Sequence, residues 1–188
     1  VKIEETNLPG VFIIEPKVIG DERGYFFESY RDDLFQEKIG KINWVQDNES
    51  LSTKGVLRGL HYQLPPFAQT KLVRIIKGSV LDVAVDIRKG SPHFGKHTII
   101  ELSETNKRQL FIPRGFAHGF LVLSDSAIFA YKVDNYYSKE CDRAILWNDS
   151  DIGVNWGVNP GEVQLSEKDI NAKAFSEAEV FSFQDLYV

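Results

Sequence analysis

The chain has 188 residues, 43% of them hydrophobic, which suits one well-filled core better than two independent ones. Its 22 Lys and Arg against 27 Asp and Glu leave a net charge of −5, so no general grip on nucleic acid is expected and any polyanion must be held locally. A single cysteine, Cys141, excludes an intramolecular disulfide scaffold and a four-thiolate zinc site, and only His61, His93, His97 and His118 remain as imidazoles.

In chain order, short β-rich runs broken by Gly, Pro and Asn predict strands around residues 11–18, 24–29, 44–50 and 55–62. Between the second and third, the pattern over residues 31–39 predicts a helix closed by Gly40. Residues 72–76 and 79–87 then flank Lys77-Gly78 as a tight hairpin. In the second run Leu81, Val83, Val85 and Ile87 alternate with Asp82, Ala84 and Asp86, so a carboxylate face lies toward either solvent or a cavity. Further strands are expected at 98–102, 109–112, 117–123 and 127–133, a long loop at 148–161, and helical patterning after Ser166. This many strands with peripheral helices points to an all-β sandwich or barrel whose mouth would take a ligand. No apolar run approaches the ~20 residues that span a bilayer. The N-terminal segment also lacks a secretory signal's basic start and apolar run, so the cytoplasm is the expected location.

Chemistry concentrates in the segment from Gly55 to Gln63, where Arg58 and His61 are three residues apart and would face opposite sides of a regular strand. Gly59 between them permits a bulge that could bring them together. Lys71 and Tyr131 add a cation and a phenol, and His118 follows a Pro113-Arg114-Gly115 turn. Each residue also has a plain structural reading. His61 reads as a half-buried histidine, Lys71 as a lysine guarding a strand edge, and Tyr131 as a core tyrosine, with Tyr137 an alternative phenol. Arg58 could pair with Asp82 or Asp86, and His93 and His97 read as solvated. Asp149 and Asp151 read as turn residues that bond their own backbone rather than calcium ligands.

Several ordered strings closely resemble the dTDP-4-dehydrorhamnose 3,5-epimerase family. They are Gly20-Asp21-Glu22-Arg23-Gly24-Tyr25-Phe26-Phe27-Glu28, Gln46-Asp47-Asn48, Leu57-Arg58-Gly59-Leu60-His61-Tyr62-Gln63, Lys71-Leu72-Val73-Arg74 and Ile112-Pro113-Arg114-Gly115-Phe116-Ala117-His118-Gly119-Phe120, within a likeness spanning residues 8–175. The resemblance implies an all-β, cupin-type jelly roll with short peripheral helices, one domain over residues 1–188, and a homodimer. It implies epimerisation of a dTDP-linked 4-keto-6-deoxy sugar at C3 and C5, giving dTDP-4-dehydro-L-rhamnose, with no metal or redox cofactor. By the same resemblance His61 is the base, Asp169 its carboxylate partner, Lys71 the cation at the C4 oxygen, and Tyr131 the acid. Arg23, Glu28, Gln46, Asn48, Arg58, His118 and Lys168 match substrate-binding positions, and Arg23 would reach the partner subunit's site. Asp142 stands where the family usually has Glu, one methylene longer.

One of these implications meets resistance in the residues, and another has support in them. Asp169 also reads as part of a helix start in Ser166-Glu167-Lys168-Asp169, a role that competes for the same carboxylate. The metal question can be argued separately, since metal-binding cupins offer a His-x-His pair where this chain has His61-Tyr62-Gln63. That leaves two imidazoles, short of the usual three protein ligands. A single-centre epimerase, a noncatalytic nucleotide-sugar-binding cupin and a metal-dependent cupin stay open as alternatives.

Overall fold

Glycine-punctuated runs of β-branched and aromatic residues fold as short strands, seen here in a computed structural model that describes residues 1–183. Residues 184–188, the end of the tail with helical patterning, lie outside the described part. The strands are β1 (Lys2–Glu5), β2 (Phe12–Glu15), β3 (Ile19–Asp21), β4 (Gly24–Phe26), β5 (Gln46–Thr53), β6 (Leu57–Gln63), β7 (Lys71–Lys77) and β8 (Ser79–Asp86). They continue with β9 (Arg88–Lys89), β10 (His97–Ser103), β11 (Gln109–Ile112), β12 (Phe116–Val122), β13 (Ser126–Val133), β14 (Asp142–Ala144) and β15 (Phe181–Ser182). Helix α1 (Asp32–Lys38) falls where its pattern predicted, whereas among the described residues the helical tail after Ser166 is reduced to the single turn α2 (Glu167–Ile170) and a short 3-10 turn at Phe175–Glu177.

Two sheets carry the fold, one ordered β1-β2-β11-β7-β13-β5 and the other β10-β8-β12-β6-β14. All of their pairings are antiparallel. They pack face to face as a jelly-roll sandwich of the cupin type. Val73, Ile75, Leu110, Ala127 and Phe129 of the first sheet meet Val80, Ala84, Leu102, Phe116 and Phe120 of the second in one buried cluster. Outside the first sheet, Phe35 of α1 covers Ile14, Leu72 and Phe111. Outside the second, Trp147, Ile152, Trp156 and Phe181 of the C-terminal segment cover Val83, Val85 and Ile87.

This layering decides the open question about β8. The apolar row of Val83, Val85 and Ile87 faces away from the sandwich and is covered by the C-terminal segment, while Asp82 and Asp86 share the inward row of Val80 and Ala84. Both carboxylates are fully buried. The interior is therefore polar on part of this strand, the condition for a site within a sandwich.

The expected hairpin at Lys77-Gly78 is not formed, because β7 and β8 belong to different sheets. Gly78 instead carries the chain across from one sheet to the other. Its φ of +80° suits glycine, and a Cβ there would fall 2.1 Å from the Ser126 carbonyl oxygen and 2.4 Å from Ser124 Oγ. Its N–H donates to Glu104 Oε1 at 2.9 Å, and its carbonyl accepts from the Glu104 N–H at 2.9 Å. Gly78→Ala is expected to cost about 2 kcal/mol or more. Urea unfolding would register this as a lower midpoint with an unchanged slope, and wild-type stability would contradict the crossover role.

Candidate active site

One strand irregularity assembles the centre of the site. Across the β6–β12 ladder His61 opposes His118 and Arg58 opposes Phe120, so Gly59 and Leu60 together oppose Gly119 alone. The extra residue is the bulge that the glycine permitted. It turns Arg58 and His61 to one face, where both line a cavity, while Leu57, Leu60 and Tyr62 pack on the opposite face. Glycine is required at the crossing, where a Cβ on Gly59 would lie 2.5 Å from the Gly119 Cα.

The cavity holds about 300 Å³ and opens between the two sheets. His61, Arg58 and His118 come from the second sheet, and Lys71, Tyr131 and Asn48 from the first. Asn48 sits opposite Tyr131 in the β5–β13 ladder and accepts a 2.7 Å bond from Gln46 Nε2, which brings that residue to the rim. Phe120 and Phe129 stack beneath, with centroids 4.1 Å apart, as an apolar floor.

His61 Nε2 lies 2.5 Å from Asp169 Oδ1, and Asp169 is 1% exposed. The competing helix-start reading resolves without conflict. Ser166 is the N-cap, accepting from the Asp169 N–H, and the Ser166 hydroxyl donates to Asp169 Oδ2 at 2.7 Å. One carboxylate oxygen thus serves the helix start and the other serves the imidazole. Burial pushes the Asp169 carboxyl up, but His61, the Ser166 hydroxyl and the Gly59 N–H outweigh it and hold the group below its usual range. Burial also depresses the His61 imidazole, against the upward pull of Asp169, so it is neutral and able to accept a proton near pH 7.

Lys71 is not at an edge, since β7 runs between β11 and β13. Burial pulls its ammonium down to about 8, with Asp82 and Asp142 opposing that fall. Among the described residues no carboxylate lies within ion-pair distance of it, so its charge is available to an oxygen in the cavity. Burial holds the Tyr131 phenol above its ordinary range, with Arg58 pulling the other way, so the hydroxyl keeps its proton at neutral pH.

The remaining residues divide. Asp142, opposite Gln63 on β14, is bonded by Lys168 at 2.5 Å and by the Tyr137 hydroxyl at 3.4 Å, a polar rim beside the cavity. Arg58 pairs with neither Asp82 nor Asp86, and its Nε donates to Ser52 Oγ at 3.1 Å. Asp86 is held instead by Arg88 and Ser91. Arg23 and Glu28 do not reach this cavity. Arg23 pairs with Asp21 on the exposed β3–β4 hairpin, and Glu28 lies 3.7 Å from Arg31.

At the positions where cupins place metal ligands, each side chain already has a partner in the protein. The Gln63 amide donates to the carbonyls of Phe67 and Tyr136 and accepts from the Ser138 N–H. His61 Nε2 and His118 Nε2 each face a carboxylate. Asp149 accepts from the N–H groups of Asp151, Ile152 and Phe175, the self-bonding turn its spacing suggested. Asp82, which approaches His118 Nε2 with both oxygens at 3.0 Å, was not among the expected site residues. Its signal was the alternation along β8, which marked a carboxylate face without saying what it faced.

The Asp169 anion raises the affinity of His61 for a proton, so Asp169→Asn should move the imidazole titration to lower pH. Proton–nitrogen NMR of the ring would read it, and a move to higher pH would mean the two groups are not charge-coupled.

Comparison with known proteins agrees with this geometry. Residues 5–177 match the profile described as dTDP-4-dehydrorhamnose 3,5-epimerase. The chain is 58% identical over 183 residues to the dTDP-4-dehydrorhamnose 3,5-epimerase of Shigella flexneri, covering 96% of this chain and 99% of that one. Among solved structures, the dTDP-6-deoxy-D-glucose-3,5-epimerase of Legionella pneumophila in complex with dTDP-4-keto-L-rhamnose superposes with a TM-score of 0.93 at 47% identity. That match covers 97% of this chain and 98% of the other. A 3'-monoepimerase from Streptomyces bikiniensis in complex with dTDP-quinovose gives a TM-score of 0.86 at 31% identity, over 93% and 90% of the two chains. With a cavity of this composition and relatives matched end to end, the chain belongs to the dTDP-4-dehydrorhamnose 3,5-epimerase family.

Proposed function

We propose that this protein inverts C3 and C5 of dTDP-4-dehydro-6-deoxy-D-glucose to give dTDP-4-dehydro-L-rhamnose, a step of dTDP-L-rhamnose biosynthesis in the cytoplasm. The observation that carries the reading is the His61–Asp169 pair on one sheet's side of a cavity that Tyr131 and Lys71 enter from the other.

A C–H beside a ketone is weakly acidic, so the reaction needs a placed base and stabilisation of the enolate oxygen. With Nε2 held by Asp169, Nδ1 of the neutral His61 ring takes the proton, and Asp169 stabilises the imidazolium that results. The C–H electron pair moves into the ring and negative charge collects on the C4 oxygen, beside the Lys71 ammonium. Tyr131 then gives its proton to the opposite face of the carbon. An acceptor on one face and a donor on the other invert the centre, whereas one group returning its own proton would restore it. Proton exchange with solvent returns His61 to the neutral ring and Tyr131 to the phenol, and the same sequence at the second carbon completes the double inversion. Arg58, with a planar fork suited to phosphate oxygens, holds the diphosphate, and Gln46, Asn48, His118, Asp142 and Lys168 hold the rest of the substrate.

The reading includes a homodimer. The β3–β4 hairpin exposes Ile19, Tyr25 and Phe26 by 59%, 59% and 67%, and the outer face of the first sheet exposes Leu51 by 65%. Pairing these apolar surfaces between two chains would carry Arg23 and Glu28 toward the partner's cavity. Sedimentation equilibrium should therefore give the mass of two chains, with Phe26→Asp yielding monomers of at least about tenfold lower turnover. A fully active wild-type monomer would refute the shared site.

The similarity to a 3'-monoepimerase supports a second reading in which only one centre is inverted. Turnover in deuterium oxide followed by proton NMR separates the two. Label should enter both C3 and C5, should be abolished by His61→Ala, and should persist without inversion in Tyr131→Phe. Label at C3 alone would establish the single-centre reading, and exchange surviving in His61→Ala would overturn the base.

A further inference from the structure

Asp82 is a fully buried carboxylate that the proposed steps do not use. It lies on the inward row of β8, opposite Phe120 in the β8–β12 ladder, and both its oxygens stand 3.0 Å from His118 Nε2. A carboxylate offers only acceptors, so the ring presents an N–H to it, and the symmetric contact fixes the plane of an imidazole that lines the cavity. Such an anion is costly to bury with one imidazole as its hydrogen-bond partner unless another positive charge is near. We propose that Asp82 is a positioning residue for the epimerisation, holding the His118 ring in place and supplying the buried counter-charge that keeps Lys71 an ammonium. This rests on the reading of Lys71 as the cation at the enolate oxygen.

The surroundings of Lys71 single out Asp82 for that role. Around the cavity stand His61 and Arg58 of β6, Glu49 of β5, Tyr131 of β13 and His118 of β12. Asp142 of β14 and Lys168 of α2 also act on the ammonium. On the other side of β7, strand β11 turns only Leu110 and Ile112 toward the interior. Of the two carboxylates that raise the lysine's proton affinity, Asp142 is already neutralised by Lys168 at 2.5 Å. Among the described residues no lysine or arginine lies within ion-pair distance of Asp82, which is screened from water, so more of its charge is left to act on Lys71. The arrangement keeps the carboxylate out of direct contact. An ion-paired Lys71 would have its charge quenched before substrate arrived, whereas a counter-charge set behind His118 sustains the ammonium and leaves it open to the C4 oxygen.

Asp82→Asn is the test, because it removes the charge at nearly constant shape and leaves a carbonyl oxygen for His118. The Lys71 amine is followed by NMR of nitrogen-labelled lysine, assigned by its loss in Lys71→Met, and kcat/KM is measured across pH. In the wild type the amine should titrate at about 8, where burial draws it. In Asp82→Asn its midpoint should fall to about 7, and the alkaline limb of kcat/KM should fall with it. Turnover at pH 8 then drops about fivefold while the Kd for dTDP stays within about twofold. Asp82→Glu should restore both midpoints. An unchanged Lys71 midpoint in a folded Asp82→Asn protein overturns the proposal. Should the Asp82 variants not fold, Asp142→Asn decides. A fall of less than about half a unit in the Lys71 midpoint supports Asp82 as the dominant counter-charge, and a fall of a full unit transfers the role to Asp142 and overturns it. Wild-type protein that incorporates no deuterium into the keto sugar would refute the epimerase reading instead, and the amine titration would still report on Asp82.

Discussion

The bond between His61 and Asp169 joins two parts of the chain 108 residues apart and sets the terms for the rest of the site. A carboxylate that is 1% exposed is tolerable only if its oxygens are fully engaged, since an unpaired buried charge costs several kcal/mol. Engagement here needs three elements at once: the imidazole of β6, the Ser166 hydroxyl that opens α2, and the Gly59 N–H at the bulge. The C-terminal segment therefore does more than cover the second sheet. Its attachment through paired backbone bonds between Leu60 and Ile145, and through the Gln164 carbonyl accepting from the Leu57 N–H while the Gln164 N–H donates to the Gly55 carbonyl, delivers α2 to the one strand whose bulge can receive it.

The same rule governs the sandwich interior. Toward one side it is filled with Val73, Val80, Ala84, Phe116 and their neighbours, and there it is ordinary core. Where the cavity opens, polar groups enter the same inward rows, each with a partner. His118 faces Asp82, Asp86 faces Arg88 and Ser91, and Asn48 receives Gln46. Lys71 lines the cavity with no direct ion pair among the described residues. Satisfied groups are locked in place and such an unpaired charge is open to a ligand, which is how a rigid scaffold places charge where a reaction develops it.

Local chemistry in the sequence revealed much of this, and its limits were set by long-range pairing. The alternation in β8, the glycine at the bulge and the helix closed by Gly40 are period and turn signals, and the structure contains all three features. Gly78 misled because positive φ serves equally in a hairpin and in a crossing between sheets, and only the partners of β7 and β8 distinguish them. Inward and outward rows were also invisible. An apolar face normally marks the interior, yet here a second apolar layer from the C-terminal segment claims that face and the carboxylates turn inward. The pairing of Asp82 with His118 depended on that inversion, so it could not be seen from spacing alone. The Asp169 rivalry dissolved for a different reason: sequence reasoning counted residues, whereas a carboxylate has two oxygens.

A jelly roll suits this chemistry because its two sheets approach a ligand from opposite sides. Inversion at carbon requires a base and an acid on opposed faces, and the bulged β6 and the regular β13 belong to different sheets on either side of one cavity. The groups are also separated in character by their burial. His61 is depressed and Tyr131 raised, so near neutrality one is an empty acceptor and the other a loaded donor. Lys71, pulled to about 8, lies closest of the three to releasing its own proton near neutral pH. The lowered proton affinity reflects the desolvation of the ammonium, and a poorly solvated cation stabilises an enolate oxygen strongly, provided that something behind it keeps the proton on. The geometry of that support, a carboxylate set back behind an imidazole instead of touching the lysine, is what lets a single charge serve both the empty and the occupied site.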